Sequence, residues 1–192
     1  MTLSSWMSRR QGARRVGLLG LFAAGLVLAT SVSAQTANAV DVGSQIPQAD
    51  AVKEGLFPED ACKELEANGF KCMGFKPAVR YSLPASSFKV GSAELPDRLR
   101  EQLDVFAEVL RTKKGSKQVV RVEGHADASG TSEANMLLSQ RRAEAVKAYL
   151  VRNGADEAML EAVGMGSQAP KVSGNPFAAE NRRVEIGRQQ NP

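Results

Sequence analysis

The chain has 192 residues, of which 43% are hydrophobic, 24% charged and 5% aromatic, with two cysteines, one histidine and a formal net charge of +4. That length carries one domain plus a small extra segment, and the composition excludes a disordered chain, a disulfide-dense mini-protein and a spanning β-barrel, whose eight strands of about ten residues would use most of the chain. The basic excess sits wholly at Arg9, Arg10, Arg14 and Arg15, leaving 21 basic and 21 acidic residues after position 34, so the high pI is no argument for nucleic-acid or anionic-membrane binding.

From Val16 to Ala29 the chain is uncharged and apolar, and small residues follow at Val32-Ser33-Ala34 and Ala37-Asn38-Ala39. A basic flank, an apolar run and an A-x-A-like site predict a secretory signal over residues 1–34, with cleavage after 34 or 39. The alternative is an uncleaved membrane anchor, although a span takes about twenty apolar residues. Ser8-Arg9-Arg10 suggests twin-arginine export, but Gln11-Gly12-Ala13 lacks the apolar residues that follow such a signal. No cysteine adjoins either cleavage site, which argues against a lipid on a new terminal Cys.

Residues 35–55, polar with single apolar positions, read as a linker. Residues 56–80 read as a small stapled segment: outside the cytosol Cys62 and Cys72 are expected to pair, closing a loop of about ten residues worth about 2–3 kcal/mol. Between them Cys62–Ala67 predicts a short helix stopped by Asn68-Gly69. With one histidine and no CxxC spacing, a redox or metal role for the pair has little support.

Residues 81–192 form the main domain. Ser86–Val90 predicts a strand. Leu95, Leu99, Leu103, Phe106 and Leu110 then recur every three or four residues, an amphipathic helix ending near Lys113-Lys114-Gly115. Gln118–Glu123 predicts a strand, and residues 132–152 a second helix with Ala134, Leu138, Ala145, Tyr149 and Leu150 turned inward. A short helix at Asp156–Glu161, a strand around Val163–Met165 and a last strand at Arg183–Ile186 complete the order β-α-β-α-(α)-β-β. That order implies an α/β (α+β) sandwich, a mixed sheet with helices on one face.

Within this frame Asp127 follows a strand end in a glycine-flanked turn that opens a helix, and Arg142 lies about two and a half turns into that helix. A carboxylate and a guanidinium presented in one cleft can grip a zwitterion, or can simply be a structural salt bridge. Spacing alone leaves both open. Other chemistry is excluded on the residues: His125 lacks companions for catalysis or metal binding, Ser139 lacks a base, and Gly124–Gly130 lacks the ending of a P-loop. We therefore expect no enzyme, no metal and no cofactor.

Three ordered motifs carry a resemblance: Gly124-His125-x-Asp127-x-x-Gly130, Asn135-x-x-Leu138-Ser139-x-x-Arg142-Ala143 and Asn181-Arg182-Arg183-Val184. From Ser86 to Arg188 the chain resembles the OmpA-like carboxy-terminal domain of OmpA-type proteins, Pal lipoproteins and MotB stators. The resemblance implies reversible binding of peptidoglycan, with Asp127 and Arg142 on the amino and carboxylate groups of diaminopimelate in the stem peptide. It places Asn135, Arg182 and Ser129 at the pocket rim. It also implies a periplasmic location at the outer membrane and wall of a Gram-negative bacterium, an envelope partner attached through residues 35–80, and only indirect membrane association. Two residues depart from the family pattern. Ala126 replaces the usual Thr, and Lys89 stands where an acid or amide is common, either repelling the ligand's ammonium or pairing with a second carboxylate. Two other readings follow from these features: a protein-docking scaffold that has lost the ligand, and a membrane-anchored stator component. The absence of any Asp or Glu in the apolar run argues against a proton-carrying stator helix.

Overall fold

The computed structural model describes residues 39–189 apart from 75, 85–87 and 90; the predicted signal or anchor lies outside them. In chain order the elements are β1 (Ala39–Asp41), α1 (Ala49–Leu56), α2 (Glu59–Ala67), β2 (Arg80–Pro84), α3 (Asp97–Arg111), β3 (Val120–His125), α4 (Ser132–Arg152), β4 (Leu160–Gly164) and β5 (Arg183–Arg188). The sheet order is β1-β2-β5-β3-β4, parallel for β1/β2 and β3/β4 and antiparallel where β5 pairs with β2 and β3. From β2 onward this is the predicted β-α-β-α-β-β order, with a 3-10 turn at Glu157–Met159 in place of the expected short helix.

Alternation along the strands sorts side chains onto two faces. Tyr81, Leu83, Val120, Val122, Val184 and Ile186 point to the helices and share one core with Leu99, Leu103, Phe106 and Leu110 of α3 and Val146 and Leu150 of α4. The leucine–phenylalanine stripe of α3 is buried as its spacing predicts. Pro96 enters that helix at its N-cap, and Asp97 adds an acidic residue to the first turn, where the dipole favours it. The opposite sheet face is polar. There Arg80 pairs with both Glu123 and Glu185, and Arg183 takes the other oxygen of Glu185.

Two glycines set the distance between α4 and the sheet. Gly124 and Gly164 are register partners on β3 and β4. A Cβ on Gly124 would overlap the Ser139 carbonyl, and one on Gly164 would lie 2.6 Å from the Gln140 backbone nitrogen. Bare backbone at both positions lets Ser139 and Gln140 rest on the strands. Gln140 then reaches over the sheet edge, its Oε1 accepting from Gly164 N–H (2.6 Å) and its Nε2 donating to Ala162 C=O (3.3 Å).

Of the 35–55 segment expected as a linker, the described residues 39–55 belong to the fold. Val42, Val52 and Leu56 are buried in the main core, β1 is a sheet strand, and α1 packs on α3. The isolated apolar residues at 49, 52 and 56 are one stripe of a two-turn helix, spaced three and four apart. Nor is 56–80 a separate module. Phe57 is fully buried, Arg188 of β5 pairs with Glu59 (2.7 Å), Lys113 pairs with Asp60, and β2 begins inside the segment. Within it α2 runs to Ala67, Asn68 caps it, and Cys62 and Cys72 form the expected disulfide.

Other boundaries also move. The strand expected at Ser86–Val90 is replaced by β2 at Arg80–Pro84; of the expected stretch only Phe88 and Lys89 are described, and neither is in a strand. The strands foreseen at 118–123 and 163–165 lie at 120–125 and 160–164. The inward face of α4 is Asn135, Ser139, Arg142, Ala143, Val146 and Leu150. Of the predicted inward set, Leu150 alone is fully buried, because polar residues that build the site occupy the buried stripe.

Candidate functional site

The site is assembled where β3 runs out into α4. Ala126 N–H donates to Gly166 C=O (2.8 Å), so the strand's line continues one residue past His125 before turning. Asp127 then opens the turn, and its Oδ1 accepts from Ser129 N–H (2.9 Å), an Asx-type closure. Gly130, at φ +90°, completes it in a conformation that favours glycine, and Thr131 caps α4 by accepting from Ala134 N–H (3.2 Å). From the first turn of α4, Asn135 Nδ2 donates back to the Asp127 carbonyl (3.0 Å). Asn135 is thus 6% exposed and holds the turn that presents Asp127.

The direct partner of Asp127 is Arg182, whose Nη1 lies 2.6 Å from Oδ2. Asp127 and Arg142 make no salt bridge with each other, so the structural salt bridge that spacing alone left open is not formed between them. Arg182 arrives there because the β4–β5 loop is tied down behind it. Asn181, fully buried, accepts from Val172 N–H (2.9 Å) and donates to Asn175 C=O (2.9 Å), and Pro176 accepts from Ala128 N–H (2.9 Å).

Arg142 is 3% exposed. Its Nε donates to Ser92 C=O (3.0 Å) and its guanidinium stacks 4.7 Å from the Phe88 ring centroid. Among the described residues neither terminal nitrogen has a carboxylate partner. Ser92 is itself held by donating its N–H to Lys89 C=O (3.0 Å). Lys89 is exposed and lies 3.7 Å from Glu94.

These surroundings bias the charges in opposite senses. Burial raises the Asp127 carboxyl's pKa, but hydrogen bonds from Arg182 and Ser129 outweigh it and hold the group below the usual range. Burial, then repulsion from Arg182, lowers the pKa of Arg142, and attraction from Asp127 only partly offsets them. Asp127 is thus satisfied by Arg182, and Arg142 has no anion partner among the described residues.

Glu123, His125 and Glu185 place one ligand atom each within 4.8 Å of one another, all buried, on the opposite sheet face. Arg80 spans both carboxylates, so a guanidinium already occupies the place a cation would take. Burial works against ionisation of Glu123, yet His125 and Arg80 bring its pKa down to about 2. We read this set as a structural ion network. Ser139 is structural too: fully buried, its Oγ donates to Met136 C=O (2.9 Å) and accepts from Gly166 N–H (2.9 Å).

Sequence reasoning brought Asp127, Arg142, Asn135, Ser129 and Arg182 to one place but not their pairing. It missed the Ser92 carbonyl, for which residue identity carries no signal. Phe88 was visible as an aromatic but not as the platform under Arg142.

Comparison with known proteins matches residues 87–183 to the OmpA family. The chain is 45% identical over 101 residues to the peptidoglycan-associated lipoprotein of Pseudomonas aeruginosa, covering 52% of this chain and 58% of that protein. It is 29% identical over 175 residues to the peptidoglycan-associated lipoprotein of Legionella pneumophila, covering 88% of this chain and 92% of that one. Among solved structures, the peptidoglycan-associated lipoprotein from Burkholderia pseudomallei aligns at 33% identity and a TM-score of 0.48, covering 53% of this chain and 86% of that one.

Proposed function

From the premise that this chain belongs to the OmpA family, we propose that it binds cell-wall peptidoglycan reversibly and without catalysis, tethering an envelope protein or complex to the wall of a Gram-negative bacterium. The group it grips is the zwitterionic end of diaminopimelate in the stem peptide, Arg142 taking the carboxylate and Asp127 the ammonium. Relatives named as peptidoglycan-associated supply the ligand class. The pocket's chemistry supplies the group within it.

One observation carries the reading: a guanidinium 3% exposed, aimed by Ser92 and Phe88, with no carboxylate opposite it among the described residues. Burying a cation without its counter-ion is costly. A structural salt bridge would have supplied the partner from the chain. A bidentate carboxylate arriving with a ligand fills the gap, and Asp127 beside it matches the ammonium of the same group.

The test is co-sedimentation of the exported protein with diaminopimelate-type sacculi. Asp127→Ala and Arg142→Ala each remove a charge-assisted contact worth about 1.5–3 kcal/mol, so affinity falls roughly 10- to 100-fold. Arg142→Lys keeps the charge and loses the fork, and falls in between. Circular dichroism checks that each variant is folded. Undiminished co-sedimentation of both folded alanine variants would refute the assignment.

A further inference from the structure

Away from the wall site three large apolar side chains stand exposed: Met73 at 92%, Phe70 at 65% and Leu65 at 46%. Local geometry gathers them. Helix α2 ends in a Schellman turn, in which Gly69 N–H, at φ +82°, donates to Glu66 C=O (3.0 Å) and Phe70 N–H to Leu65 C=O (3.0 Å). The turn folds Phe70 back beside Leu65. The Cys62–Cys72 bond then ties the loop to the helix face that carries Leu65 three residues on, so Met73 projects from a closed loop. A loop held in this way loses little freedom on binding.

A groove of about 360 Å³ adjoins the projection, with Leu65 and Gly74 in its lining. Ala51 of α1, Pro58 and Ala61 around the start of α2, and Pro77 and Val79 ahead of β2 form its apolar walls. Projection and recess thus lie side by side on one face. A two-fold axis between them seats the projection of each copy in the recess of the other, which is how a patch complements itself.

Charge selects the occupant. From Gly69 to Pro77 the projecting stretch contains Lys71 and Lys76 and no acid. The α1 wall of the groove carries the exposed Glu54, and α2 adds the exposed Glu66. The other charged residues nearby are engaged within the chain: Lys53 with Glu64, Asp60 with Lys63 and Lys113, and Glu59 with Arg188. An anionic lipid surface would meet these acids together with the lysines, so the face as a whole does not attract it. A second copy sorts the two signs, because a loop entering the groove brings its lysines toward Glu54 of the other copy. The remainder of the chain does not oppose this, since 21 basic and 21 acidic residues after position 34 leave no net charge to repel a copy.

We infer that this face joins two copies of the chain, Phe70 and Met73 of each seated in the α1–α2 groove of the other with Lys71 and Lys76 against Glu54. The contact leaves Asp127 and Arg142 untouched. A dimer therefore presents two wall sites, and its hold on a polymer rises without any new contact to the wall.

Sedimentation velocity of the full exported chain tests this, with a monomer–dimer equilibrium expected at a dissociation constant on the order of 10 µM. Phe70→Asp and Met73→Asp, both at exposed positions, weaken the dimer at least about tenfold. Circular dichroism checks that they are folded. Glu54→Lys and Lys76→Glu each weaken it about fivefold, and the double variant, which exchanges the two charges, returns to within about twofold of wild type. Only a contact between copies gives that recovery. A wild-type chain that stays monomeric up to about 200 µM, an undiminished dimer in both aspartate variants, or a double variant no better than the single ones would each overturn the inference. A monomer that instead sediments with phosphatidylglycerol vesicles would overturn it in favour of a lipid surface. None of these results bears on co-sedimentation with sacculi, which Asp127 and Arg142 govern.

Discussion

Replacing Gly124 with Ala tests how the site is built, because this glycine opens the first of the three motifs and yet touches no charged group of the cleft. Its φ is outside the left-handed region, so backbone strain does not require glycine there. What requires it is α4: the added Cβ would overlap the Ser139 carbonyl and lie 2.9 Å from the Ser139 carbonyl carbon and 3.3 Å from its Cα. These are backbone atoms, so no rotamer relieves the contact and the helix must lift. Overpacking of this kind costs about 1–3 kcal/mol. Lifting also stretches the Ser139–Gly166 bond and the Gln140 contacts with β4, each worth about 0.5–1.5 kcal/mol. A total near 3 kcal/mol lowers Tm by about 6–12 °C in a chain of this size. Thermal unfolding followed by circular dichroism measures it. Gly174→Ala is the control, because a Cβ at Gly174 meets nothing within 4 Å and its φ is ordinary; it should leave Tm unchanged. A Gly124→Ala protein melting within 2 °C of wild type would refute the close-approach argument.

Ser139→Ala removes the acceptor of the buried Gly166 N–H without changing the backbone, costing about 1–3 kcal/mol by urea unfolding; no loss would mean that another acceptor takes over. Glu123, with a folded pKa of about 2 against an ordinary 4.5, contributes stability that is complete above about pH 5 and lost as pH falls through its folded value. That contribution is on the order of 3 kcal/mol. Urea unfolding between pH 2 and 6 should therefore show an acid decline that is shallower in Glu123→Gln, and identical slopes in the two proteins would contradict it.

What the sequence disclosed depended on how far apart the deciding residues lie. The α3 stripe needed only local periodicity, because its outer face carries the charges and its inner face the leucines. In α4 the same method picked the wrong face, since Asn135, Ser139 and Arg142 are buried to build a turn and a cleft. Polar residues turned inward for a purpose look like surface. α1 was hidden for another reason: a two-turn helix is too short to establish a period, and contact with α3 holds it in place. The motifs identified Asp127, Arg142 and Arg182. Which cation reaches Asp127 is decided by a loop closing across 55 positions, through Asn181 and Pro176, and no spacing rule conveys that.

The reach of Gln140 has a consequence beyond the domain itself. β4 is an outer strand, and an outer strand exposes a row of donors and acceptors to which a further strand can bind. One amide side chain meets Gly164 N–H and Ala162 C=O as a neighbouring strand would. That margin of the sheet is thus finished by a side chain, which keeps copies of the chain from knitting together along β4.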